Sequence, residues 1–188
     1  MEVLRQLVDE VSGFGADGGA WAASAWKVHA LFELLAVRAY TAWESFSHDV
    51  LILTLAKDTT RLAQETGLSI KPKRVTADMA GALLTARGYL EFRDAADLKG
   101  RARRWLGQAQ SPFENMQPAD VNAADDLREL RNVIVHRSRQ SEQKYRDLLR
   151  RRQVAAQTLP GEYLHDGNPT RLHGYVEQLR LAAGRLVP

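Results

Sequence analysis

The stretch VHALFELLAVRAYTAWESFSHDVLIL, residues 28–53, decides the fold class. Val28, Leu31, Leu35, Ala39, Ala42, Phe46, Val50 and Leu53 recur at intervals of three and four, the repeat of one helix face and not the alternation of a strand. The pattern predicts one long helix from near Trp21 to near Ala63. A short helix over Glu2 to Val11 precedes it, ended by the glycine-rich residues 14–19. Downstream, the same reading gives helices from Ala77 to Tyr89, with Thr76 or Asp78 as cap, and from Leu98 to Leu106, closed by Gly107. A further helix begins at Asp120 or Asn122 and runs to His136 or Ser138. A basic helix covers residues 143–156, and a last one, capped by Thr170, reaches about Leu186. The proline-bearing stretches 67–76, 108–117 and 160–169 read as connections. No alternating strand pattern and no internal repeat occurs, so the expected fold is an all-α bundle of about five to seven helices in a single domain, 1–188.

Composition narrows the function classes. With 45% apolar and 26% charged residues the chain has an ordinary globular balance, and a net charge of +3 is modest. The absence of cysteine excludes disulfides, thiolate metal sites and a cysteine nucleophile, and it fits a cytoplasmic location. No apolar run is long enough to span a bilayer, and the first residues lack the pattern of a secretory leader, so no membrane partner is expected. There is no Walker-type glycine loop, no His-Glu-x2-His zinc helix and no Gly-x-Ser-x-Gly elbow. Neither a cofactor nor a metal is expected.

What the chain does carry is Asp125-Asp126-Leu127-Arg128-Glu129-Leu130-Arg131-Asn132-Val133-Ile134-Val135-His136-Arg137-Ser138. At 100° per residue, Leu127, Leu130 and Ile134 gather on one side of the helix. Asn132 and His136, four apart, stand together nearly opposite, with Arg131 between the two faces. Val133 and Val135 fill the flanks, so the Asn132/His136 pole and both valines should remain to be covered by protein or substrate. Spacing alone is weak, since 20 arginines and 5 histidines in 188 residues yield an Arg-x4-His pair by chance in about every second such chain. The chemistry of the set says more. RNA carries its own nucleophile, the 2′-hydroxyl, so a cleaving site needs mainly a proton acceptor and a cation beside the phosphate. His136 fits the first need, Arg131 the second, and Asn132 can orient the histidine or the backbone.

The run resembles the Arg-Asn-x3-His signature of the HEPN superfamily, small helical domains found in prokaryotic ribonuclease toxins and antiviral effectors. The likeness is strong across about fifteen residues. Upstream, Tyr40 to Leu51, then Trp105-Leu106-Gly107 and Phe113, are similar to the subgroup called RiboL-PSP-HEPN. The resemblance implies catalytic roles for Arg131, Asn132 and His136, a homodimer whose paired motif helices line one cleft, and products ending in a 2′,3′-cyclic phosphate. It also implies a place in toxin-antitoxin or antiviral defence, with an antitoxin protein as a candidate partner. One position departs from the pattern. Family toxins silenced by a nucleotidyltransferase tend to carry a tyrosine two residues after the histidine, where this chain has Ser138.

Other readings stand beside this one. The motif can instead be structural, with Arg131 pairing a carboxylate such as Asp125 or Glu129. The domain can then be a non-catalytic helical dimer that binds a protein or RNA, or a nucleic-acid-binding regulator, although no helix-turn-helix spacing is evident. Arg128, Arg137, Arg139, Lys144, Arg101 and Arg104 are the candidate RNA contacts, in basic stretches that extend to Arg150-Arg151-Arg152; such stretches are also common as solvated helix faces. Glu44 and His48, four apart on the long helix, form a surface pair or line the same cleft as auxiliary residues. Trp21, Trp26, Trp43 and Trp105 can stack bases but fit a core as well.

Overall fold

A computed structural model describes residues 25–67, 69, 73–85 and 91–187. These residues form eight α-helices and no strand: α1 (Ala25–Lys57), α2 (Thr60–Thr66), α3 (Ala77–Thr85), α4 (Ala95–Leu106), α5 (Pro118–His136), α6 (Arg139–Arg151), α7 (Pro160–His165) and α8 (Arg171–Leu186). A 3-10 turn, Pro112–Asn115, precedes α5. The all-α fold and the long early helix are as expected from the sequence. The expected helix over Glu2 to Val11 and the break at 14–19 lie outside the described residues. None of the described helices is long and apolar enough to cross a membrane.

Two differences from the expected helix count have local causes. The long helix stops at Lys57, because the Asp58 carboxylate accepts the Thr60 backbone N–H at 2.8 Å and the Thr59 N–H goes to the Lys73 carbonyl at 2.8 Å. Short polar side chains competing for backbone groups end a helix in this way. The segment 160–169, read as a connection, instead contains α7. Pro160 occupies its first turn, and the Glu162 carboxylate accepts the Leu159 N–H at 3.3 Å. Gly161 permits the close approach to α1: a Cβ there would lie 2.6 Å from the His29 Cβ, and its N–H reaches Glu33 Oε1 at 3.2 Å. The His165 ring stands edge-on to Phe32 with centroids 5.0 Å apart.

Other boundaries shift by a few residues. Thr76 is the cap chosen for α3, accepting the Met79 N–H at 3.2 Å. Asp94 starts α4 three residues earlier than expected by accepting the Asp97 N–H at 2.7 Å, and Gly107 ends it at φ +83°. Pro118 opens α5, ahead of Asp120. The basic helix is 139–151, not 143–156. Thr170 caps α8 through the His173 N–H at 3.3 Å.

The described residues fall into two compact units, 25–43 with Asn122–Leu181, and those of 44–121 with 182–187. In the first, Phe32, Ala36 and Ala39 of α1, Leu127 and Leu130 of α5, Leu148 and Leu149 of α6, Leu164 of α7 and Leu172, Val176 and Leu179 of α8 are all fully buried. In the second, the core is Leu51 and Leu55 of α1, Leu62, Ala80, Ala102 and Phe113, with Leu186 from the end of α8. There the Asp120 carboxylate is fully buried and accepts from Arg185 Nη1 at 2.8 Å, while Arg103 makes a two-point contact to Glu114 at 2.8 and 2.7 Å.

The buried stripe of α1 corrects the expected one in part. Leu35, Ala39 and Val50 are buried as expected, and Phe32, Ala36, Tyr40, Trp43, Ser47, Leu51 and Leu55 face inward with them, whereas Leu31 and Leu53 are 39% and 56% exposed. The helix is apolar around much of its surface, and the face carrying Phe32, Tyr40 and Trp43 removes more area from water than the one beside it.

Candidate active site

The motif residues sit at the end of α5, in the first unit. Leu127, Leu130 and Val133 turn into the core; Ile134 is half-buried and Val135 is 49% exposed. Val133, expected to await a covering partner, is thus satisfied within its own chain. Arg131 and Asn132 are half-buried and His136 is exposed. Arg131 reaches across the helix: its Nη1 lies 3.1 Å from Asn132 Oδ1 and 3.1 Å from His136 Nε2. A guanidinium offers only donors, so Nε2 accepts and carries its lone pair toward Arg131. Glu129, one of the carboxylates expected for Arg131, pairs instead with Arg151 at 2.9 Å.

The turn after the histidine is fixed by its neighbours. Arg137 adopts a left-handed conformation at φ +43°, and Ser138 immediately caps α6. The Ser138 hydroxyl accepts the Ser141 N–H at 3.1 Å while the Ser141 hydroxyl accepts the Ser138 N–H at 2.9 Å. This reciprocal box is what the serine at position 138 does in the fold.

One turn earlier on α5 lies a network that sequence reading missed. Asp126, buried, accepts from Arg152 Nη2 at 2.6 Å, Arg152 Nε at 2.9 Å, Arg151 Nη2 at 3.2 Å and the Tyr175 hydroxyl at 3.0 Å. Tyr175 in turn meets the Tyr163 hydroxyl at 2.8 Å. Burial holds both phenols above their ordinary range, so they remain protonated donors. Arg151 also binds Glu129 Oε2 at 2.9 Å; burial raises the Glu129 carboxyl despite that cation. These groups tie α5 to the end of α6 and to α8. With Asn122 and Asp125, the residues Asp126, Glu129, Arg151 and Arg152 line a half-open cleft of about 330 Å³.

The remaining candidates fall into two groups. Arg128, Arg137, Arg139 and Lys144 lie on α5, the following turn and α6, with Arg137 and Arg139 exposed and the other two half-buried. Arg101 instead pairs with Asp97 at 3.0 Å and Arg104 approaches Glu65 at 3.9 Å, both in the second unit. Of the terminal arginines of α6, Arg150 binds Asp147 at 2.9 Å and the other two hold Asp126. Glu44 is exposed and His48 half-buried on the part of α1 that belongs to the second unit. Trp43 is buried, Trp105 half-buried, Trp26 exposed; Trp21 lies outside the described residues. Among the described residues no group of three or more His, Asp or Glu is arranged to hold a metal ion.

No protein-family model, curated protein or solved structure matches this chain.

Proposed function

We propose that the protein is a metal-independent endoribonuclease of the HEPN type, acting as a homodimer in toxin-antitoxin or antiviral defence. The observation that carries the reading is the contact of Arg131 Nη1 with both Asn132 Oδ1 and His136 Nε2 at the exposed end of α5. It joins the cation and the proton acceptor that 2′-hydroxyl attack needs to an amide that can orient them. In the reaction, His136 Nε2 takes the 2′-hydroxyl proton as the 2′-oxygen attacks phosphorus. Arg131 swings from the histidine to the phosphate, where its planar donors meet two oxygens and the developing charge. The 5′-oxygen leaves with a proton taken from solvent, His136 returns its own proton to solvent, and a 2′,3′-cyclic phosphate remains. Exposed Val135, the Asn132/His136 pole and half-buried Ile134 are the surface through which two α5 helices meet. The dimer interface should cover about 800 Å² or more per partner. Incubating the purified chain with RNA in EDTA, alone and as His136→Ala, tests the reading; light scattering that finds only 21 kDa species at micromolar concentration would remove the composite site.

A further inference from the structure

The cleft beside the motif has the wrong charge for a phosphate and the right polarity for a base. Three carboxylates, Asp125, Asp126 and Glu129, face two guanidinium groups, Arg151 and Arg152, so the walls carry a formal excess of one negative charge. Asp126 is saturated by its arginines and Tyr175. Glu129 is not: Arg151 holds Oε2, and among the described residues no donor meets Oε1. A half-buried carboxylate oxygen in that state favours a ligand bringing N–H groups.

Register connects the cleft to the motif. Asn122, Asp125, Glu129, Asn132 and His136 follow one another at intervals of three and four, so they form one continuous ridge of α5. Seven residues separate Glu129 from His136, about 10 Å along the axis. A nucleotide flanking a phosphate held at Arg131 and His136 spans that distance. The volume, about 330 Å³, is at the lower end of ligand pockets and suits one base rather than an oligonucleotide.

Among the bases, only guanine presents two adjacent donors, N1–H and the N2 amine, on one edge and two adjacent acceptors, O6 and N7, on the next. Adenine and cytosine offer a single exocyclic amine to a carboxylate, and uracil a single ring N–H. Carboxylate and guanidinium side by side match guanine. We infer that this cleft is a guanine subsite, with Glu129 as the residue that selects the base and Arg151 holding Glu129 in place. The inference rests on the ribonuclease reading for its substrate, but its test reads binding.

Oligonucleotides with 2′-O-methyl groups cannot be cleaved by the proposed route, so their binding is measurable on the intact chain. Fluorescence anisotropy should show that replacing a single guanosine by inosine, which lacks the N2 amine, weakens binding about tenfold, and that replacement by adenosine weakens it at least as much. Glu129→Gln should abolish the difference between guanosine and inosine while circular dichroism stays that of the wild type. Asn122→Leu, at the exposed rim of the cleft and outside the ion network, should weaken guanosine binding without unfolding the chain. Equal binding of all three oligonucleotides, or a guanosine preference that survives both substitutions, would overturn the subsite. Unmodified RNA cut with no base preference would also overturn it while leaving the ribonuclease reading intact; a guanosine preference in binding with no cleavage would do the reverse.

Discussion

Arg131 Nη1 stands 3.1 Å from His136 Nε2, so the cation of the motif occupies the lone pair that a general base would use. In the free protein the neutral ring must therefore carry its proton on Nδ1. Nitrogen NMR on labelled protein should show this tautomer, and addition of a 2′-O-methyl RNA should perturb Nε2 as Arg131 turns to the phosphate. Arg131→Lys keeps the charge but loses the planar two-point contact, so cleavage should fall by at least about tenfold, and Arg131→Ala by on the order of a hundredfold.

Asp126 is the anchor of the motif helix. Asp126→Ala leaves the Arg151 and Arg152 guanidinium groups and the Tyr175 hydroxyl without their shared acceptor. Both arginines are near half exposed and can rehydrate, so the expected loss is about 2 to 3 kcal/mol rather than the full cost of a broken buried pair. Urea unfolding measures it; a change below about 0.5 kcal/mol would show that the network is dispensable.

Arg137→Gly separates stability from function. The left-handed backbone at φ +43° costs an arginine roughly 1 kcal/mol that glycine does not bear. Thermal unfolding should therefore move upward. If Arg137 contacts RNA, binding should weaken in the same variant, and the salt dependence of binding should lose about one phosphate contact.

Glu114 gives a pH signature. The Arg103 guanidinium, hydrogen-bonded to it at two points, holds its carboxyl below the ordinary 4.5. Because the folded value lies below the unfolded one, the contribution to stability is complete above about pH 4.5 and is lost as pH falls through the lowered value. Wild type should be slightly more stable than Glu114→Gln near neutrality, and the gap should close on acidification. Arg103 is half exposed, so added salt should narrow the gap too.

Much of this was legible in the sequence, and the exceptions have a common origin. Periodicity located α1 and α5, and local chemistry located Gly107, Thr170 and, as one of two candidates, Thr76, because caps and breakers act within a few residues. Leu127 and Leu130 were placed correctly in the core. The inward stripe of α1 was read only in part, with Leu35, Ala39 and Val50 right and Leu31 and Leu53 wrong, because a helix with apolar residues on several faces is resolved only by what packs against it. α7 was missed although Pro160 and Glu162 mark a helix start, since six residues give periodicity too little length. The Asp126 network lay beyond sequence reading: its partners are 25, 26 and 49 residues away, and nothing in a run of arginines tells a solvated face from one spent on buried carboxylates.

The central claim is that His136 and Arg131 perform 2′-hydroxyl attack on RNA. Its most direct test is the cleavage of a labelled RNA by the purified chain in EDTA, with the new 3′ ends identified chemically. Wild type should release 2′,3′-cyclic phosphate ends, and His136→Ala should cut on the order of a hundredfold more slowly with its helicity unchanged. Full activity in His136→Ala, or cleavage of 2′-O-methyl RNA at the normal rate, would contradict the claim.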